Sequence, residues 1–100
     1  MRIVVVCGAG ASSTFVALRL QRAAAAARLN YEVAGSTESS LAEDLQFTEL
    51  LLVGPHLGEQ IEAIRARAAE HRVPTILLPD DVFGDADGTR TLRLVQEGAP

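Results

Sequence analysis

Four short apolar runs, separated by longer amphipathic segments, set the pattern of this chain. The runs are Arg2 to Cys7, Tyr31 to Ala34, Glu49 to Val53 and Pro74 to Leu78. Within the first, third and fourth, apolar residues follow one another instead of alternating with polar ones, which is typical of strands buried on both faces. The runs predict four strands of a parallel sheet.

The intervening segments have the periodicity of helices. From about Ser12 to Leu29, a predicted apolar stripe is formed by Val16, Leu20, Ala23 or Ala24, and Ala27, with the solvent side left to Arg19, Arg22 and Arg28. A short helix is predicted over Ser39 to Leu45, with Ser39 or Ser40 as its N-cap. A longer helix is predicted over Leu57 to His71, with Leu57, Ile61, Ile64 and Ala68 on its apolar side, and a closing helix over Thr89 to Gln96.

Strands and helices therefore alternate along one chain of 100 residues. This alternation predicts an α/β fold, namely a four-stranded parallel sheet with helices on both faces. Right-handed crossovers favour the strand order 2-1-3-4, which makes the first strand central. The length fits a single domain over 1–100 and is too short for two ordinary cores.

The most informative chemistry follows the first strand. Cys7 ends that strand, and Gly8-Ala9-Gly10-Ala11-Ser12-Ser13-Thr14 leads into the first helix. Glycines and small residues allow successive backbone N–H groups to converge on an anion, and ligands of doubly wound folds bind at this edge of the sheet. We expect these amides and the helix N-terminus to lower the pKa of Cys7 and make it a nucleophile, with the hydroxyls of Ser12, Ser13 and Thr14 as further donors.

The composition of the chain argues against several kinds of site, partner and location. Cys7 is the single cysteine and there are two histidines, so neither an internal disulfide nor a four-ligand zinc site is expected. A net charge of −4 without a run of Lys or Arg argues against a nucleic-acid partner. The apolar start, Ile3 to Cys7, is too short for a signal peptide or a membrane span, which favours a cytoplasmic protein.

Three familiar loops do not match the segment after Cys7. A Walker loop requires a Lys before its Ser or Thr, and the segment has none. The dinucleotide fingerprint requires a third glycine where Ser13 stands, and a thioredoxin motif requires a second cysteine where Gly10 stands. Nucleotide binding and dithiol redox chemistry are therefore not indicated.

The segment resembles that of the IIB components in the lactose/cellobiose branch of the sugar phosphotransferase system. Those proteins open with a hydrophobic strand and a C-x-x-G-x-S motif, matched here by Cys7, Gly10 and Ser12. The resemblance continues through Leu51-Leu-Val-Gly-Pro55 and through Phe83-Gly84 and Asp87-Gly88, and so covers nearly the whole chain. One departure is His56, which follows Gly-Pro where the family usually has Gln.

The resemblance implies a phosphocysteine relay. A phosphohistidine on a IIA protein would donate to Cys7, which would pass the phosphoryl group to a cellobiose- or lactose-type sugar held by the membrane transporter IIC. Residues 8–14 would be the phosphate-binding loop, and no metal or other cofactor is required. The resemblance also implies association with the inner face of the membrane through IIC.

Two other classes of protein have a related topology. Low-molecular-weight phosphatases and arsenate reductases also use a cysteine loop after the first strand, but their C-x5-R motif has Arg where this chain has Ser13. Hydrolysis with Cys7 as nucleophile remains the alternative function. A response-regulator receiver needs acids where this chain has Cys7 and Gly54, so that interpretation is poor.

Two further groups of polar residues have no assigned role. Asp80, Asp81, Asp85 and Asp87 are interpreted as a solvated acidic turn in preference to a metal site, because their spacing is not that of an EF-hand. His56 follows the third strand, and a histidine in a loop is more often a solvated surface residue. Arg19 and Arg22 are candidates for docking to an acidic patch of a partner.

Overall fold

The computed structural model describes residues 1–8 and 10–98. Its strands are β1 (Arg2–Val6), β2 (Glu32–Ser36), β3 (Leu50–Val53) and β4 (Thr75–Leu77). Its α-helices are α1 (Gly10–Ala26), α2 (Leu41–Asp44), α3 (Ile61–Glu70) and α4 (Thr89–Gly98). Short 3₁₀ helices cover Leu45–Phe47, Pro55–Gln60 and Val82–Gly84.

The sheet is parallel and has the order β2-β1-β3-β4, which confirms the predicted topology. In the register, Val6 lies opposite Ser36 on one side and opposite Val53 on the other. The residue after β1 is therefore beside the residue after β3, so Cys7 is next to Gly54. Because β1 is a central strand, the thiol lies in the middle of the end of the sheet formed by the carboxyl ends of the strands.

Each face of the sheet has its own buried cluster. Ile3, Val5 and Cys7 belong to the cluster that includes residues of α1 and α4, such as Leu20 and Val95. The alternate residues of β1 and β3 point to the other face of the sheet and pack there with α2 and α3. This second cluster contains Val4, Val6, Leu51, Val53, Leu41, Ile64 and Ala68. The helices thus cover both faces, and Cys7 points to the face that α1 covers.

The second strand runs further than the apolar pattern predicts. The pattern predicts a strand over Tyr31 to Ala34, but β2 extends to Ser36. The extension includes Gly35, a residue type that weakens a strand prediction. A Cβ at Gly35 would lie 3.0 Å from the backbone of Ser13 and Thr14, so the glycine allows β2 to approach the start of α1.

The third helix begins later than predicted. The segment Pro55–Gln60 is a 3₁₀ helix, with Leu57 outside helical geometry at φ −100 and ψ 19, and α3 begins at Ile61. Pro55 fixes its own φ and lacks an N–H, so it starts a tight turn directly after β3. Leu57 is still buried with Ile64 and Ala68, as the apolar spacing requires. Of the two predicted N-caps of α2, Ser39 and Ser40, the structure has Ser40, although its side chain makes no capping hydrogen bond.

The start of α4 is fixed by two carboxylates. Asp85 accepts hydrogen bonds from the backbone N–H of Thr91 at 2.8 Å and from its hydroxyl at 2.7 Å, and a longer one from the N–H of Arg90. Asp87 accepts from the backbone N–H of Thr89 at 3.1 Å. Carboxylates satisfy the free N–H groups at a helix start, so both have a structural function here.

Gly88 is a position where a side chain is not tolerated. Its φ is +75, and an added Cβ would lie 2.3 Å from the backbone oxygen of Arg19 in α1. We expect Gly88→Ala to lower the free energy of unfolding by about 3 kcal/mol, from backbone strain and overpacking. Urea unfolding measures this change. Gly84→Ala is the control, because a Cβ there meets nothing within 4 Å; equal stability of the two variants would contradict the prediction.

Candidate functional site at the end of the first strand

Cys7 is the first residue after β1 and is 1% exposed. Its sulfur lies against the backbone of Gly54, where a Cβ would be 2.5 Å from Sγ and 3.2 Å from the Cβ of Cys7. The N–H of Gly54 also donates to the carbonyl of Val6 at 2.8 Å, which ties the two strand ends together. The thiol therefore has a fixed position that depends on the glycine directly after the neighbouring strand.

The expectation of a lowered thiol pKa is wrong for the protein in this state. Burial raises the pKa of Cys7 above its ordinary value, and a backbone hydrogen bond from Gly54 opposes this only in part. Removing the thiol from water disfavours the charged thiolate more than the local amide stabilises it. The side chain of Cys7 is consequently a neutral thiol at pH 7. For Cys7 to react as a nucleophile, its reaction partner must therefore also accept the thiol proton.

The raised pKa of Cys7 predicts slow alkylation. Iodoacetamide reacts with the thiolate, so the rate should rise with pH through a midpoint above about 8.5, the ordinary pKa of cysteine. The matched reference is the same chain in urea, whose midpoint should be near that ordinary value. Poor access lowers the rate at every pH, whereas the raised pKa moves the midpoint. A folded-state midpoint below that of the unfolded chain would contradict the prediction.

The predicted loop 8–14 is divided between a turn and a helix. Gly8 is an exposed bend, and α1 already begins at Gly10, two residues before the predicted start. The segment from Gly10 to Thr14 is therefore the first part of α1, and only Gly8 and Ala9 separate it from Cys7. Ala9 lies outside the described residues. The early helix start brings the free N–H groups of the first turn of α1 close to Cys7 in sequence.

The hydroxyl residues of this segment differ in their surroundings. Ser13 is buried, and its hydroxyl donates to the backbone carbonyl of Ser36 at 3.0 Å. Ser12 is half-buried and Thr14 is exposed. The Ser13 hydroxyl thus links α1 to the end of β2. To donate to an anion at Cys7, as expected, it would have to give up its hydrogen bond to the Ser36 carbonyl.

The 3₁₀ turns after β3 and β4 meet beside Cys7. A Cβ on Gly8 would lie 3.8 Å from the Cβ of His56 and 3.9 Å from Leu57. The ring of His56 lies 5.5 Å from that of Phe83, centre to centre, at 41°. Phe83 packs against the buried cluster that contains Cys7, and its carbonyl accepts a 2.8 Å hydrogen bond from Arg19. Arg19 is therefore half-buried, which corrects the prediction that it faces solvent.

Gly54, Phe83 and Arg19 are the residues of this site that sequence reasoning misses. The pattern marks Gly54 only as the end of a strand, although the strand order and register place it beside Cys7. Phe83 enters only as part of a resemblance. Arg19 is assigned to the solvent side of a helix, because a local pattern does not show a contact with a turn 64 residues away.

The acidic segment after β4 is a structural element. Asp81 forms an ion pair with Arg90 at 2.7 Å, and that hydrogen bond lowers the pKa of Asp81. The pKa of Asp87 is lowered by its hydrogen bonds to Thr89. Asp85 is 6% exposed, so the interpretation of a solvated turn is wrong for this residue. Within residues 1–8 and 10–98, no three His, Cys, Asp or Glu side chains form a group that could hold a metal ion.

Among the described residues, no helix combines the length and the apolar character needed to cross a bilayer.

Comparison with known proteins identifies the class of fold. The chain is similar to the lactose-specific IIB component domain of the phosphoenolpyruvate:carbohydrate phosphotransferase system from Streptococcus pneumoniae, with a TM-score of 0.84 and 11% identity over 100% of this chain and 98% of that one. It is also similar to the cellobiose-specific phosphotransferase IIB component from Borrelia burgdorferi, with a TM-score of 0.76 and 21% identity over 98% and 90%. No curated protein matches the sequence significantly.

The sequence itself matches a family model. The family is described as the lactose/cellobiose-specific IIB subunit of the phosphotransferase system, and the match covers residues 2–92. The chain therefore belongs to the lactose/cellobiose IIB family of the phosphotransferase system. As a sugar-specific IIB component, it is part of a phosphotransferase that serves sugar transport, and components of this kind work with IIA and IIC partners.

Proposed function

We propose that this protein is a phosphocarrier in which Cys7 accepts a phosphoryl group from a phosphohistidine on IIA. Cys7 then passes the group to a cellobiose- or lactose-type sugar bound by the membrane transporter IIC. The observation that carries the proposal is the position of the lone thiol, directly after the central strand and just before a helix N-terminus. This is the edge at which doubly wound folds bind their ligands.

The surroundings of Cys7 support this transfer chemistry. The thiol is held by Gly54 in one position, and fixed geometry favours displacement at phosphorus. In this proposal residues 8–14 form the phosphate-binding segment, with Cys7 as the catalytic residue. The backbone N–H groups at the start of α1 would bind phosphoryl oxygens, because a helix N-terminus favours negative charge. The step needs no metal or other cofactor.

The proposal also covers the setting of the reaction. The whole of 1–100 acts as one IIB domain at the cytoplasmic face of the membrane, where it meets IIC. Since IIC holds the sugar, the choice of sugar depends mainly on the transporter. A nucleic-acid partner does not fit a chain with a net charge of −4.

Intact mass spectrometry tests the proposal. The protein is incubated with phosphoenolpyruvate, the general phosphotransferase proteins and a candidate IIA. We expect one phosphoryl adduct, which peptide mapping places on Cys7 and which an acceptor sugar removes in the presence of IIC membranes. An adduct on another residue, or none with a IIA that phosphorylates a related IIB, would overturn the proposal.

The phosphatase alternative gains no support from the site. Ser13 occupies the position of the phosphate-clamping Arg, and its hydroxyl donates to β2. The carboxylates that could act as a general acid are Asp80, Asp81, Asp85 and Asp87. The last three are bound to Arg90, Thr91 and Thr89. Steady release of phosphate from an aryl phosphate, lost on alkylation of Cys7, would nevertheless favour hydrolysis over the relay.

A further inference from the structure

A phosphoryl group on Cys7 would bring close to two negative charges into a segment without a basic side chain. Residues 8–14 consist of Gly, Ala, Ser and Thr. Backbone N–H groups stabilise an anion, but a cation at hydrogen-bond distance contributes about twice as strong an interaction. A side chain that adds positive charge to this segment would therefore come from a neighbouring element.

Among the described residues, two arginines near this edge of the sheet already bind other groups. The guanidinium of Arg19 donates to the Phe83 carbonyl, and that of Arg90 pairs with Asp81. His56 differs, because its side chain is exposed and its ring contact is with an uncharged partner, Phe83. Its Cβ borders Gly8, the residue next to Cys7, and it follows Gly54 by two residues.

We propose that His56, as an imidazolium, donates an N–H hydrogen bond to a phosphoryl oxygen on Cys7. This inference rests on the phosphocysteine proposed above and assigns the residue that matches its charge. The ring of Phe83 packs against the imidazole, and Arg19 holds the backbone of Phe83 by a 2.8 Å hydrogen bond to its carbonyl. Arg19 and Phe83 are thus positioning residues that act through His56.

The transfer steps balance without using the proton of His56. In the first step the N–P bond of the donor phosphohistidine breaks, the S–P bond of Cys7 forms, and the thiol proton passes to the donor nitrogen. In the second step the S–P bond breaks, an O–P bond to the sugar hydroxyl forms, and the hydroxyl proton returns to sulfur. His56 keeps its proton throughout and compensates the charge of the phosphoryl oxygens.

The charges around His56 determine how pH acts on this contact. Its own 3₁₀ helix carries Glu59, and the turn of Phe83 is flanked by Asp81 and Asp85, which are bound to Arg90 and Thr91. The residue after β1 contributes the Cys7 thiol. The proposed hydrogen bond requires the protonated ring, so the contact should weaken as pH rises and the ring loses its proton.

Proton NMR of the two histidines tests the contact directly. The ring C–H signals of His56 and His71 are titrated before and after phosphorylation of Cys7. The titration midpoint of His56 should move up by about one pH unit, as expected for a nearby dianion. His71 follows α3, whose end lies at the opposite edge of the sheet, and should not move. Equal behaviour of both histidines would overturn the inference.

Variants separate His56 from the relay itself. The rate of phosphoryl transfer from IIA to Cys7 is measured at pH 6 and pH 8 for wild type, His56→Gln, Phe83→Leu and the control His71→Gln. Each variant's rate is divided by the wild-type rate at the same pH, so the pH dependence of the phosphorylated IIA donor cancels. We expect His56→Gln to be about tenfold slower at pH 6 and close to wild type at pH 8, since a charged hydrogen bond is lost. Phe83→Leu should show a smaller loss with the same pH dependence.

The outcomes distinguish the two proposals. If Cys7 is phosphorylated and His56→Gln has the wild-type rate at both pH values, the assignment of His56 is wrong and the phosphocarrier function stands. If the wild-type protein takes no phosphoryl group on Cys7 from a competent donor, the phosphocarrier proposal falls, and the role of His56 falls with it.

Discussion

The Cys7→Ser variant should fold but lose phosphoryl transfer by at least a factor of about 1000. A serine hydroxyl is far harder to deprotonate than a thiol, even a buried one, and is a much weaker nucleophile. The substitution is nearly isosteric, and the backbone of Gly54, which hydrogen-bonds to the sulfur, is available to the hydroxyl. Placing a hydroxyl at this buried position should still cost about 1–3 kcal/mol of stability. Transfer is followed by intact mass, and stability by thermal unfolding.

Two controls make this experiment decisive. Wild-type protein alkylated under mild denaturation and refolded lacks the same thiol, since Cys7 is the single cysteine, and it should also take no phosphoryl group. An oxygen ester on the introduced serine would survive the acid treatment that removes a phosphocysteine, so residual transfer to the variant is recognisable. Sugar phosphorylation at the wild-type rate by a folded Cys7→Ser protein would refute Cys7 as the carrier.

The sequence predicts the topology because each step uses a strong and local signal. Continuous apolar runs mark the strands, and the handedness of the crossovers places β1 in the centre. Cys7 is located by the same means, since the residue after a central parallel strand lies at the binding edge. Element ends are less predictable: Gly35 extends β2 through a close approach to α1, and Pro55 starts a 3₁₀ turn ahead of α3.

The electrostatics of the thiol could not be predicted from the pattern. A cysteine before a helix N-terminus suggests a stabilised thiolate, but the sign of the pKa shift depends on how completely the sulfur is removed from water. Packing of Gly54 against Sγ and of α1 over the sheet makes Cys7 1% exposed, and desolvation then exceeds the effect of the amide. Burial of this kind results from contacts between distant segments and has no local signature.

The thiol's raised pKa also links folding to pH. Its sign follows from the protonated form being favoured in the folded protein. The contribution of Cys7 to the free energy of unfolding is therefore fully present below the pKa that its thiol has in the unfolded protein, about 8.5. This contribution is lost as pH rises through the higher pKa of the same thiol in the folded protein. A neutral, buried thiol also resists adventitious oxidation, since oxidation depends on thiolate and exposure.

The Gly54→Ala variant should lose both stability and phosphoryl transfer. An added Cβ would lie 2.5 Å from the sulfur of Cys7, a residue that is itself enclosed in the core cluster. Overpacking of this kind costs about 1–3 kcal/mol, and a displacement of about 1 Å at a reacting atom can reduce a rate a hundredfold. Urea unfolding and transfer from IIA measure the two effects. Gly58→Ala in the next turn meets nothing within 4 Å and should preserve both properties.

A double variant shows whether the loss arises at the sulfur. In Cys7→Ala the atom nearest to the new Cβ is absent, so adding Gly54→Ala to it should cost less stability than Gly54→Ala costs in the wild-type background. The difference between the two costs is the interaction free energy of the pair, and residues in contact give about 0.5–3 kcal/mol. Equal costs in both backgrounds would mean that Gly54 does not constrain the thiol. A large difference would show that the residue after β3 holds the sulfur of Cys7 in place, which would make the Gly-Pro segment part of the proposed transfer site.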